Sequence, residues 1–115
     1  MAVQQDEYER ISNPSAISSL LNTMIESGGV SLCLDAPEAR PEPIVLMEQH
    51  EGETLVMDLS SVDYLLYRLE QGERFFLRGQ SQGKVIRTPL LVLTETRRSG
   101  GRYLCCSDYP ESVDV

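Results

Sequence analysis

Apolar residues recur at helical spacing near the beginning of the chain. Five of them follow the i, i+3, i+4, i+7, i+8 pattern of an amphipathic helix: Ile17, Leu20, Leu21, Met24 and Ile25. Asn13 is a favourable N-cap, Pro14 suits the first helical position, and Gly28 stands where a glycine commonly ends a helix. The pattern predicts a helix between Asn13 and Gly28 with one face docked on a core.

Short alternating or apolar segments bounded by turn residues predict strands in the rest of the chain. We expect about six strands, over residues 30–34, 44–47, 54–58, 74–78, 84–96 and 102–106. Turns are predicted at His50–Glu53, at Gln82-Gly83 and at Ser99–Gly101. Pro89 interrupts the longest of these strands and cannot donate a ladder hydrogen bond, so it indicates an edge position or a bulge.

A second helix is predicted to begin near Ser60. Ser60 and Asp63 have the spacing of a capping box, and Leu59 is placed to pack on Tyr64 as a hydrophobic staple. The apolar stripe of this helix consists of Leu65, Leu66 and Leu69, and Gly72 ends it. We read both helices as packing elements.

Most links between the predicted strands are too short for a parallel β-α-β crossover. Antiparallel strands joined by hairpins would close into a small barrel with a helix at one end. The predicted fold class is therefore mainly β with two helices, as a small antiparallel barrel. The 115 residues fit one domain, with residues 1–12 as a flexible N-terminal segment and residues 13–108 as the barrel.

Charge separates the chain into an acidic and a nearly neutral half. The net charge is −8: residues 1–60 hold eleven acids and two arginines, whereas residues 61–115 hold seven acids and eight bases. Nucleic acid and anionic membrane both require neutralisation of phosphates, which the acidic half opposes. A protein partner, or a small ligand at the mildly basic end, remains compatible with this distribution.

No apolar run approaches the roughly 20 residues that span a bilayer, so we expect no membrane insertion. The acidic N-terminus does not have the pattern of a signal peptide, and we expect the cytoplasm. Three cysteines, Cys33, Cys105 and Cys106, make a poor disulfide framework. Adjacent strand residues point to opposite faces, so no metal site is predicted from them.

Two sequence patterns suggest catalysis, but the predicted structure around each of them argues against it. Residues 79–83 match G-x-S-x-G, but the serine-hydrolase elbow joins a strand to a helix and requires a histidine base. Here the motif joins two predicted strands, and the single histidine, His50, lies in a separate acidic turn. Asp58 ends a strand as a turn residue, and Asp63 is assigned to the helix cap. We therefore predict no enzyme activity, no catalytic residues and no metal site.

The order of elements and several short segments carry a family resemblance. The first helix reads I-S-N-P-S-A-I-S-S-L-L, a strand reads E-T-L-V-M-D-L, and later segments read R-F-F-L, Q-G-K-V-I-R and Y-P-E-S-V. Over about residues 10–115 the chain resembles the N-terminal domain of bacterial flagellar-brake proteins of the YcgR type. In that family the domain precedes a PilZ domain that binds cyclic di-GMP.

The resemblance implies a split β-barrel akin to PilZ, with residues 109–115 as the linker toward a PilZ domain. It implies a non-enzymatic regulatory domain controlling motility, whose partner is a flagellar motor component or its own PilZ domain. Cyclic di-GMP is then expected only through that following domain, with no cofactor in this chain.

Two partial matches to the family's nucleotide motifs occur here. Arg98 and Arg102 fit R-x-x-x-R, and residues 58–63 fit D-x-S-x-x-G except that Asp63 replaces the glycine. Their order is the reverse of the family's, and the two arginines flank a tight hairpin. Arg98 and Arg102 are the candidate nucleotide contacts, and we expect that the isolated chain does not bind cyclic di-GMP.

Three hypotheses follow. The first is the interaction domain of a cyclic di-GMP effector. The second is a stand-alone adaptor that binds protein without nucleotide, and the third is a flavin-binding split-barrel protein, for which no residue set selects flavin. In each case an exposed edge strand near Pro89 would allow a homodimer.

Overall fold

The structure is a computed structural model that describes residues 8–115. Its elements are β1 (Arg10–Ile11), α1 (Pro14–Ser27), β2 (Val30–Leu34), β3 (Glu42–His50), β4 (Thr54–Asp58), a 3₁₀ segment (Ser60–Leu65), α2 (Leu66–Glu70), β5 (Phe75–Ser81), β6 (Lys84–Arg87), β7 (Leu93–Ser99), β8 (Arg102–Asp108) and β9 (Val113–Asp114). The expectation of six strands was too low, because one predicted strand is two and two short strands, β1 and β9, lie near the ends. In addition, β3 and β5 are longer than predicted.

Helix α1 begins and ends where the sequence predicts. The side chain of Asn13 accepts the N–H of Ala16 at 3.1 Å, which satisfies one of the free donors of the first turn. At the other end, the N–H of Gly28 donates to the carbonyl of Met24, and Gly28 has a positive φ of 71°. Met24 and Leu21 are fully buried, so the predicted apolar face docks on the core.

The strands form one antiparallel sheet in the order β1-β9-β6-β5-β2-β3-β4-β8-β7. This confirms a mainly β fold with two helices. The connector between β6 and β7 bonds to β5 through Phe75 and Leu91 and to β8 through Val92 and Asp108. No strand pairing joins β1 to β7 among residues 8–115, so closure of the sheet into a split barrel stays a prediction.

The core lies between the sheet and its two helices. Alternate residues of β2 and β5 are buried, among them Leu32, Phe75 and Leu77. Gly79 of β5 allows α1 to approach closely, because a Cβ there would lie 3.1 Å from Cγ of Met24. The helix therefore sits where β5 has no side chain on its inner face.

The second helical region corrects the prediction. The predicted capping box is wrong, because neither Ser60 nor Asp63 forms a side-chain cap bond and the backbone is non-helical at Val62. Ser60 instead donates its hydroxyl to Asp58 at 2.5 Å and accepts the N–H of Tyr103 at 3.1 Å. Tyr64, predicted to cover Leu59, is 62% exposed. The predicted stripe is confirmed, since Leu65, Leu66 and Leu69 are all buried.

The single strand predicted over residues 84–96 is also wrong. It is divided into β6 and β7, which pair in different parts of the sheet. The chain leaves β6 at Thr88, whose hydroxyl accepts the N–H of Leu77 and donates to the carbonyl of Pro89. Proline, which has no N–H, and this side-chain bond interrupt the ladder after Thr88, and the connector returns to β5 at Leu91.

Both ends of the described chain contribute to the sheet. Residues 1–7 of the predicted flexible segment lie outside the described residues, whereas Arg10–Ile11 pairs antiparallel with Val113–Asp114. Val113, within the predicted linker, is fully buried. The continuation of residues 109–115 toward another domain stays a prediction.

Candidate interaction surface

One side of the β3–β4–β8–β7 region carries apolar side chains that are outside the core. We call it the outer face, and it consists of Val45, Met47, Val56, Leu104 and Cys106. Val45 is 59% exposed and Met47 is 37% exposed, whereas the other three are partly buried. Contiguous exposed apolar residues of this kind mark contact surfaces for other molecules.

The sequence of β3 explains why this face is apolar. Ile44 and Leu46 point inward and are buried, so the intervening Val45 must point outward. A β-bulge follows, since Leu46 pairs with Met57 and the next pair joins Glu48 to Val56. Met47 is the extra residue of the bulge. β3 pairs with β2 through residues 42–44 and with β4 through residues 45–50, so Val45 and Met47 lie in the part of β3 that continues beyond β2.

Cross-strand register makes the outer face continuous. Val45 lies opposite Asp58, and Asp58 lies opposite Leu104. In the next row, Val56 lies opposite Cys106. Residues paired in this way share a face of the sheet, so the apolar groups are neighbours of one another and of two carboxylates, Asp58 and Glu48, which lies opposite Val56.

Asp58, which lies between Val45 and Leu104 on this surface, has a structural role. Its Oδ1 accepts the backbone N–H of Ser60 at 2.9 Å and the Ser60 hydroxyl at 2.5 Å. The hydroxyl bond is the largest cause that lowers the pKa of Asp58, and the charge of Arg102 adds to it. The carboxylate is held as a turn anchor, in agreement with its predicted role as a turn residue.

The two arginine candidates lie in the β7–β8 hairpin but do not converge. Arg98 pairs with Tyr103, and its guanidinium lies 5.1 Å from the centre of the Tyr103 ring. Arg102 pairs with Ser99. Because Arg98 and Ser99 are consecutive strand residues, the two arginines point to opposite faces of the hairpin. The structure brings Arg102 near Asp58 but does not place Arg98 beside it.

The G-x-S-x-G segment is a hairpin, as its context predicts. Ser81 pairs with Lys84 across Gln82 and Gly83, whose φ angles of 52° and 79° are those of a type I′ turn. His50 lies at the end of β3, and its Nε2 is 3.1 Å from a carboxylate oxygen of Glu48. Within residues 8–115, no group of three His, Cys, Asp or Glu side chains is arranged to hold a metal ion.

A cavity of about 650 Å³ lies where α1 begins. Its lining residues are Ser12, Pro14, Ile17, Glu51, Gly52, Glu53, Tyr109, Pro110 and Glu111. Burial raises the pKa of Tyr109, and the charge of Glu51 adds to this effect. Three glutamates among the lining residues repel phosphates, so the cavity disfavours an anionic ligand such as a nucleotide.

Sequence reasoning missed the outer face. The signal was the run of four apolar residues from Ile44 to Met47, because two adjacent apolar residues in an antiparallel strand cannot both face the core. The run was interpreted only as a strand.

No helix among residues 8–115 is long and apolar enough to cross a membrane. The sequence matches no protein-family model and no curated protein. The resemblance to flagellar-brake proteins therefore depends on the order of elements and the short segments quoted above.

Proposed function

We propose that this chain is a non-enzymatic protein-interaction domain of a cyclic di-GMP-responsive regulator of flagellar motility. The observation that carries the interaction role is the exposure of Val45 and Met47 on β3, next to the apolar residues of β4 and β8. The regulatory context comes from the resemblance to the YcgR type. The partner of the outer face is then a flagellar motor component, and the domain's own PilZ neighbour is the alternative occupant.

The chemistry of the outer face supports a protein as its partner. Aliphatic groups and a thiol form most of its centre, together with Asp58, whose carboxylate is bonded to Ser60. Charged side chains such as Glu48, Glu95 and Arg97 surround them. An apolar centre with a charged rim is the usual composition of a protein–protein contact. Nucleic acid is disfavoured by the net charge of −8.

We propose that cyclic di-GMP binds a PilZ domain that follows this domain. Arg98 and Arg102 diverge, and the 650 Å³ cavity is lined by carboxylates. Neither place offers the bidentate arginine contacts that hold a phosphodiester. The nucleotide would therefore regulate this domain from outside it.

Site-specific photo-crosslinking tests the occupant of the outer face. A photoreactive residue replaces Val45 in the protein expressed from its native gene, and a matched variant carries it at the exposed Leu90. We expect crosslinks at position 45 to a flagellar motor protein, identified by mass spectrometry, and none to that protein from position 90. Crosslinks confined to the protein's own PilZ domain would assign the face to the alternative occupant.

A charged substitution tests whether the contact has a function. Val45→Arg should leave the melting temperature unchanged, because Val45 is largely exposed, yet it should abolish slowing of swimming when cyclic di-GMP is raised. Leu90→Arg is the control. Normal motility control in Val45→Arg would contradict the proposal.

The intact mass of the native gene product distinguishes the effector from the stand-alone adaptor. The 115 residues alone have a mass of 12.9 kDa. A larger product with an arginine motif beyond Val115 and with cyclic di-GMP binding supports the effector. A product of 12.9 kDa would contradict the effector hypothesis and favour the stand-alone adaptor.

A further inference from the structure

Strand β7 is a free edge of the sheet. It pairs with β8 on one side, and none of the other described strands pairs with it. Its residues from 94 to 99 are exposed to solvent, except Thr96, which is partly buried. An exposed edge strand of seven residues presents unpaired backbone donors and acceptors to another chain.

The β7–β8 hairpin determines which backbone groups are free. Ser99 and Arg102 flank a two-residue turn, so they form a hydrogen-bonded pair. Hydrogen-bonded and non-hydrogen-bonded pairs alternate along an antiparallel ladder. Arg97 and Glu95 therefore also direct their backbone groups to β8, and the backbone N–H and C=O of Thr96 point out to the free edge.

The side chains of β7 are complementary to a second copy of themselves. If a two-fold axis passes through the sheet at Thr96, antiparallel pairing places Thr96 opposite Thr96 of the other copy. Glu95 then lies opposite Arg97 of that copy, and Arg97 opposite its Glu95. In the single chain these two side chains pair with each other, with Arg97 Nη2 2.8 Å from Glu95 Oε2.

Neighbouring registers lack this complementarity. A two-fold axis at Glu95 would place the two copies' glutamates opposite each other. An axis at Arg97 or Arg98 would likewise place two arginines opposite each other. Like charges directly opposite each other destabilise a strand pair. The charges of β7 thus exclude these pairings and favour the register centred on Thr96.

We propose that two copies of this chain associate through β7, in antiparallel register about Thr96, with Glu95 and Arg97 forming reciprocal ion pairs between the copies. The sheet becomes continuous across both copies. A two-fold axis through the sheet directs both outer faces to the same side. The contact is an edge contact of small area, so the association is weak and concentration-dependent.

Sedimentation equilibrium of the 115-residue chain tests this pairing. At concentrations from about 5 to about 500 µM, we expect the mass to rise from 12.9 kDa toward twice that value. Glu95→Arg and Arg97→Glu each convert two attractive pairs to repulsive pairs, so each should raise the dimer dissociation constant by about tenfold or more. An equimolar mixture of the two variants restores opposite charges across the axis and should form a heterodimer.

Two variants control for net charge. Glu26→Arg and Arg78→Glu change the charge by the same amounts at exposed positions outside β7, and association should be unchanged. The mixture distinguishes ion pairs between two copies from the ion pair within one chain, because neither variant alone contains opposite charges at positions 95 and 97. A wild-type mass of 12.9 kDa at the highest concentration, unaffected association of the single variants, or a mixture that does not associate would each overturn the proposal.

Discussion

Gln49 connects three parts of the fold through one side-chain amide. Its Nε2 donates to the carbonyl of Ser18 and to the side-chain oxygen of Asn22, both on α1 and both at 2.8 Å. Its Oε1 accepts the hydroxyl of Tyr109 at 2.5 Å. The residue therefore fixes α1 and the segment after β8 to the end of β3.

Replacement of Gln49 should destabilise the fold measurably. Gln49→Ala removes all three bonds and leaves a partly buried phenol without its acceptor, which should cost about 1–3 kcal/mol in the free energy of unfolding. Urea unfolding followed by circular dichroism measures it. Gln80→Ala, at an exposed position of β5, should change stability by less than about 0.5 kcal/mol. Equal effects of the two variants would show that the Gln49 bonds contribute nothing.

The lowered pKa of Asp58 implies a specific pH dependence of the free energy of unfolding. Its pKa in the folded chain is lowered from 3.8, chiefly by the Ser60 hydroxyl, so folding favours the ionised carboxylate. The resulting stability is present above pH 3.8 and is lost as the pH falls through the lower folded value. Asp58→Asn should therefore cost about 1–2 kcal/mol at pH 7. The difference between this variant and the wild type should decrease below pH 3.8.

Thermal unfolding of both proteins over a pH series measures this difference. Asp63→Asn, at an exposed position without a cap bond, is the control and should lower the melting temperature less than Asp58→Asn does at pH 7. A constant difference between wild type and Asp58→Asn across the acid range would contradict the role of the ionised carboxylate.

Capping shows what the sequence determines at the scale of single residues. Asn13 was predicted correctly because its partner, the N–H of Ala16, lies three residues away. Ser60 was assigned to a cap by the same local rule, but its side chain bonds to Tyr103, which is distant in sequence. Local spacing cannot reveal a competing partner that only the folded sheet provides.

The helices should contribute stability through buried leucines. Leu21 of α1 is fully buried, and Leu66 at the start of α2 is 8% exposed. Replacing either by alanine removes buried apolar contacts and should cost about 2–5 kcal/mol. Chemical unfolding measures the loss, and Tyr67→Ala, at a position 73% exposed, is the matched control in α2. An unchanged midpoint in either leucine variant would contradict docking of that helix.

Elements with local signals were predicted best. Helix α1 and strands β2 and β4 follow from spacing and turn residues, and their bounds agree with the structure. The division between β6 and β7 was not predicted, because it depends on Leu91 returning to Phe75 across the sheet. Likewise β9 has only two residues, and its pairing with β1 joins the two ends of the described chain.

At the scale of the whole molecule, the sheet carries two surfaces of different chemistry. The outer face offers apolar contacts, and the β7 edge offers backbone and charge pairing. If two copies associate through β7, two outer faces lie side by side, and a partner with repeated subunits would bind both with increased avidity. The proposed contact with a motor component and the proposed self-association are therefore compatible, although each has its own test.

The isolated chain should not bind cyclic di-GMP at micromolar concentration. The net charge of −8 repels the nucleotide, and Arg98 and Arg102 point to opposite faces of their hairpin, so one phosphodiester cannot contact both. The Asp58 carboxylate near Arg102 adds a further repulsive charge. Isothermal titration calorimetry should show no saturable heat. A saturable signal that Arg98→Ala abolishes and Arg78→Ala retains would contradict this expectation and would move nucleotide recognition from a following domain to the hairpin.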